Sequence, residues 1–191
     1  MNRREALSRV ALIMGGTVIG ANIFLQGCKP ADKKSAESLA EFSQDDIAYL
    51  DEIAETIIPA TETPGAKDAK VGAFMAVMVK DCYEEKDQRS FREGMDKIND
   101  ASNKKFDKAF MQLSPQQRHE LLVGLDSEQK EHSKNKKDDE ANHYFRLMKE
   151  LTLLGYFTSE PGATQALRYV ESPGRYDGCI PYKKGDKAWA L

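Results

Sequence analysis

The residues of this chain that could do chemistry fall into three groups. At the start, Arg3-Arg4 precedes an apolar run from Val10 to Leu25, and Leu25-Gln26-Gly27-Cys28 closes it. Paired arginines ahead of such a run are the twin-arginine export address, and Gly15, Gly16 and Gly20 keep the run only moderately hydrophobic, as that route uses. With its glycines and Asn22, the run falls short of the roughly 20 apolar residues that a permanent membrane span needs. Gly27 before Cys28 has the pattern of a bacterial lipobox, in which the cysteine becomes the lipidated first residue of the mature chain. Several acyl chains on one residue anchor stably where a single chain is marginal.

The second group is Cys82 and Cys179. Neither belongs to a C-x-x-C pair, which excludes the usual zinc, redox and c-type haem patterns. In an exported protein two such cysteines can pair, and a bond would hold the C-terminal segment to a helix. Cys82 equally fits an apolar helical stripe as a buried thiol, so both readings stand. The third group is His119, His132 and His143, each expected at the surface. Glu140-x-x-His143 matches half of a di-iron bundle element, but the second pair that such a site needs is absent from the sequence. Phosphate loops, a G-x-G-x-x-G turn and a nucleophile elbow are missing too. The expectation is a chain with no catalytic residue, no metal and no cofactor of its own.

The elements that must carry these groups follow from composition and period. The chain has 191 residues, 40% hydrophobic and 31% charged, with a formal net charge of −3. That balance supplies a core and a soluble exterior. It offers no basic field for nucleic acid. Residues 1–27 read as the signal and 28–41 as a flexible polar tether containing Pro30; residues 42–191 form the folded body. Ser43 and Asp46 make a capping box, with Phe42 and Ile47 as a staple, and Ile47, Leu50, Ala54 and Ile57 repeat at helical spacing until Pro59.

After a Pro/Gly turn, Val71, Phe74, Met78 and Cys82 resume the stripe on a second helix. Phe91, Met95 and Ile98 mark a third, ragged near Asn103. Ser114-Pro115-Gln116-Gln117 opens a fourth. Asp138, Asp139 and Glu140 suit the positive end of a fifth, whose Tyr144, Phe145, Met148 and Leu151 face the core until Gly155. With no period-2 alternation, the fold class is all-α, a compact bundle of about five helices, with a short extra helix between Pro161 and Leu167.

Beyond Leu167 the chain is irregular and rich in Gly, Pro and aromatics. A disordered tail would not be so aromatic. Tyr169, Tyr176, Tyr182 and Trp189 are therefore the candidate partner-interface residues, since such side chains favour surfaces apolar on one side and wet on the other.

Taken together, Leu50-Asp51-Glu52-Ile53-Ala54-Glu55-Thr56-Ile57-Ile58-Pro59, Thr63-Pro64-Gly65-Ala66, Asp81-Cys82-Tyr83, the block from Leu151 to Ala163 and Tyr176-Asp177-Gly178-Cys179 resemble the gluconate 2-dehydrogenase subunit 3 (gamma chain) family. The resemblance runs from about Phe42 to Tyr182, and its block around Gly155 is the most specific. It implies a small, non-catalytic subunit that accompanies a large flavoprotein of the glucose-methanol-choline type. That partner would hold FAD, act on a sugar, sugar acid or polyol, and often pass electrons to a cytochrome c. The flavoprotein would cross the membrane bound to this signal-bearing chain. The lipobox at Cys28 departs from the family pattern by adding an anchor on the periplasmic side of a bacterial envelope membrane. A free-standing envelope lipoprotein and an enzyme in its own right are the alternatives, the second lacking a polar constellation to work with.

Overall fold

The computed structural model describes residues 41–172, 174–175 and 178–190. Arg3, Arg4, Cys28 and Tyr176, with nearly all of the proposed tether, lie outside the described residues. Five α-helices make the body: α1 Gln44–Ile57, α2 Val71–Cys82, α3 Glu85–Phe106, α4 Pro115–Asn135 and α5 Tyr144–Thr158. A 3-10 turn, Phe110–Gln112, sits between α3 and α4, and a π turn, Gly162–Ala166, follows α5. The all-α bundle expected from the sequence is the fold found.

Local chemistry explains the helix starts. Ser43 Oγ accepts the Asp46 amide at 3.1 Å while the Asp46 carboxylate accepts the Ser43 amide at 2.9 Å, so two otherwise orphaned donors are satisfied reciprocally. Ser114 and Gln117 repeat the device with Pro115 as first helical residue. α3 runs further than its sequence pattern suggests. It ends at Asp107, which adopts the left-handed conformation (φ 54°) and sends its amide to the Asn103 carbonyl. Gln88, buried on α3, donates from Nε2 to the carbonyls of Lys80 and Tyr83, closing the end of α2.

α5 is the axis. It touches all four other helices, and eight of its fifteen residues are buried. Phe145, Met148 and Leu151 join Leu50 and Ile53 of α1, Met75 and Val79 of α2, Phe91 and Ile98 of α3 and Leu122 and Leu125 of α4 in one core. Gly155 brings α5 close to α2, because a Cβ there would lie 2.6 Å from the Phe74 ring. Asp126 of α4 adds a polar tie, taking Lys149 of α5 at 2.6 Å and Lys130 at 2.7 Å; these hydrogen bonds hold its carboxyl at about 2.

The turn between α1 and α2 has little regular structure and is held by carboxylates. Glu55 accepts the amides of Ala60 at 2.8 Å and Lys67 at 2.9 Å, and Asp51 accepts the amide of Gly72 at 2.8 Å. Glu52 binds both Lys67 and Arg118; burial pushes its carboxyl up, but these cations win and hold it below the usual range. Arg118 also donates to the carbonyls of Phe110 and Met111, tying the start of α4 to the same corner. Tyr156, from the far end of α5, sends its hydroxyl to the Pro64 carbonyl at 2.7 Å. Gly65 is required by this crowding, since a Cβ would fall 2.3 Å from the Glu55 carboxylate.

Tyr156→Phe should therefore leave the Pro64 carbonyl without its donor and lower stability by about 1 to 2 kcal/mol in urea unfolding. Gly65→Ala should cost more than that, because the anchor at Glu55 must move. Both variants within about 0.5 kcal/mol of the parent would show that the corner does not govern the fold.

Candidate docking surface

Three of the blocks that suggested a family meet in one region. The carboxylates of α1, the Thr63–Ala66 turn and the end of α5 are in contact through Glu55, Pro64 and Tyr156. Beyond Thr158 the chain turns sharply. Ser159 Oγ donates to the Tyr156 carbonyl at 2.6 Å and accepts the Gly162 amide at 3.1 Å, and the Leu167 amide returns to the Gly162 carbonyl at 2.9 Å. A Cβ on Gly162 would sit 1.8 Å from the Tyr156 carbonyl oxygen, so the turn admits no other residue.

From Leu167 on, the backbone leaves the bundle and returns. The Arg168 amide donates to the Ala188 carbonyl at 2.7 Å and the Ala190 amide to the Arg168 carbonyl at 3.0 Å, which pairs Arg168 with Trp189 as a parallel bridge. The Arg168 guanidinium stands 4.6 Å over the Trp189 ring, and Lys187 donates to the Gln165 carbonyl. The segment is thus closed on itself rather than sunk into the core. Tyr169, Tyr182 and Trp189 are exposed, Tyr182 by 78%, along with Val170 and Ile180.

Sequence reasoning missed three members of the exposed apolar set. Leu153, Leu154 and Phe157 lie on the outer side of α5, each 40% exposed or more, while Leu151, Thr152, Gly155 and Tyr156 between them are buried. The signal was present. Leu-Thr-Leu-Leu-Gly-Tyr-Phe is apolar on more of the helix surface than one core contact can cover, and a helix apolar all round needs a second partner.

The other sequence candidates resolve differently. Cys82 and Cys179 are both exposed and carry no bond to each other in this structure, and Cys82 is not a buried thiol. Cys82 keeps the helical spacing of the buried Val71, Met75 and Val79 but is the last residue of α2, where it is exposed; its thiol lies 3.9 Å from Met78 Sδ. His119 is at the surface as expected, but His143 is buried and caps α5, with Nδ1 accepting the Phe145 amide at 3.2 Å. The acids Asp138, Asp139 and Glu140 fall in the turn before it. Among the described residues no group of three or more His, Cys, Asp or Glu side chains is placed to hold a metal ion, and no helix is long and apolar enough to cross a membrane.

Alkylation of the native chain without reductant should label Cys82 and Cys179 together in peptide mass mapping. Protection of both until reductant is added would show that they pair in solution.

Comparison with known proteins places this geometry. No curated protein and no solved structure matches the chain. Residues 44–174, most of the described body, match the family described as gluconate 2-dehydrogenase subunit 3. The match begins with α1 and reaches past the π turn, so it takes in the carboxylate-held turn, the exposed side of α5 and the start of the C-terminal segment. By that extent, the chain belongs to the gluconate 2-dehydrogenase subunit 3 family.

Proposed function

We propose that this chain is the non-catalytic small subunit of an exported FAD-dependent dehydrogenase of the glucose-methanol-choline type, acting on a sugar, sugar acid or polyol. The observation that carries the reading is that a member of a dehydrogenase-subunit family exposes Leu153, Leu154 and Phe157 on α5 and Tyr169, Tyr182 and Trp189 beyond it. Aromatic and aliphatic anchors of this kind, rimmed by charge, are what protein interfaces bury. Family membership supports a dehydrogenase partner, which in this reading is the flavoprotein, and Tyr176 belongs to the same candidate set.

In this reading the flavin stays with the large subunit, and this chain aids its export, maturation and attachment. Arg3 and Arg4 would address the folded pair to the twin-arginine route, and lipid on Cys28 would hold it at the periplasmic side of the envelope membrane. A cytochrome c would be the electron acceptor. Nucleic acid is no partner for so acidic a body.

Purification of the tagged chain from its own cells should bring down a larger, yellow, FAD-containing protein. Phe157→Ala, Tyr182→Ala and Trp189→Ala should each weaken that complex by about 1 to 2 kcal/mol or more while far-UV circular dichroism stays helical. Deleting the subunit should leave the flavoprotein in the cytoplasm, as should changing Arg3 and Arg4 to Lys, which keeps the charge and removes the address. Cys28→Ala should free the complex from the membrane fraction. Full export and activity of the flavoprotein in the deletion strain would end this reading, as would sugar oxidation by the purified small subunit.

A further inference from the structure

Away from the docking face, a groove of about 950 Å³ lies between α3, the end of α4 and the turn that enters α5. Two imidazoles sit in its floor, with ring centroids 5.4 Å apart. His143 is nine-tenths buried and stacks on Tyr144 at 4.3 Å. Its Nδ1 holds the Phe145 amide at the start of α5, so that nitrogen must be unprotonated for the cap to exist. Its Nε2 faces Glu128 at 3.7 Å, and His132 Nε2 faces Glu140 at 3.6 Å, both too long for hydrogen bonds. His132 Nδ1 is a buried side-chain polar atom with no hydrogen-bond partner.

The surrounding charges are accounted for. On α3, Arg89 is paired with Glu85 and Lys97 with Glu93, and Lys86 with Glu84 ahead of the helix. Lys97 also reaches over the Tyr144 ring and adds positive potential at His143. The turn itself is pinned to α3, where Asp87 accepts the Asn142 amide at 2.9 Å and Ser90 donates to the Asn142 carbonyl at 2.8 Å. The bond from His143 to Phe145 then ties this pinned turn to the first turn of the central helix.

We propose that His143, with His132, Glu128 and Glu140, is an acid-operated latch: neutral, it caps α5 and holds the 136–143 turn against it, and proton uptake releases both. Protonation puts N–H on Nδ1, directly against the Phe145 N–H, and places a cation at the positive end of a helix. Protonation turns the Nε2–H of His143, already a donor while Nδ1 accepts, into a charged donor facing Glu128 at 3.7 Å, which favours closure of that pair as the cap is lost. Burial, with Lys97 and His132, lowers the proton affinity of His143 below the ordinary value of 6.5, against the opposing pull of Glu128. The neutral form is thus favoured by folding. The stability it contributes is complete above 6.5 and is lost as pH falls through the lower folded value.

The test is amide exchange and histidine NMR on the full chain in detergent. Between about pH 7.5 and about pH 5.5, protection of the amides of 144–147, corrected for intrinsic exchange, should fall about threefold or more relative to those of α1. His143→Asn keeps an N-cap acceptor that does not titrate, and should flatten this loss while preserving protection at high pH. His132→Gln should raise the titration midpoint of His143 by removing a neighbouring charge. Equal pH dependence in the His143→Asn chain, or a His143 midpoint at or above 6.5, would overturn the latch.

Discussion

The hydrogen bond from the Tyr156 hydroxyl to the Pro64 carbonyl joins residues 92 apart, and the arrangement of the body depends on the corner that it closes. On one side of that bond stands a turn whose amides are taken up by Glu55 and Asp51. On the other stands the central helix, which touches each of the other described helices. A neutral hydrogen bond adds about 1 kcal/mol net, but a buried carbonyl left without its donor costs more, so the corner acts by forbidding alternatives rather than by its gross energy. The position of α5, and hence of everything mounted on its far end, follows from where Pro64 is held.

Local signals in the sequence were accurate where a serine and an acid or amide three residues on satisfied each other's backbone. The capping boxes at Ser43 and Ser114 are of this kind, because their partners are three residues away. The end of α3 was harder to see, since Asp107 takes the left-handed conformation usually marked by glycine. The start of α5 was misplaced for a physical reason: Asp138, Asp139 and Glu140 imitate the acidic first turn of a helix, whereas the cap is a buried imidazole. Asp51, Glu52 and Glu55 look like the wet side of an amphipathic helix. Their partners, Gly72, Lys67 and Arg118, are distant in sequence, and no period along α1 announces them.

The candidate site was half legible. Tyr169, Tyr182 and Trp189 stood out because aromatics are unexpected in an irregular tail, and they are exposed as an interface requires. Leu153, Leu154 and Phe157 were hidden by their neighbours in the chain, for an apolar residue bound for the core and one bound for a partner read alike in sequence. Only the packing of Tyr156, Thr152 and Leu151 inward leaves these three outward. Cys82 shows the converse: it keeps the spacing of the buried Val71, Met75 and Val79, but as the last residue of α2 it is exposed, and spacing alone does not show where a core ends.

The distance along the chain from Pro64 to Tyr156 has a bearing on synthesis. A ribosome releases the turn first and its lock last, so the corner cannot close until α5 has emerged. The exposed apolar side of α5 and the aromatic segment emerge with or after that same tyrosine. A chain broken off early therefore lacks the lock and the adhesive face together. Completion of the polypeptide, closure of its fold and presentation of its exposed apolar face become a single event, and an unfinished copy cannot present that face.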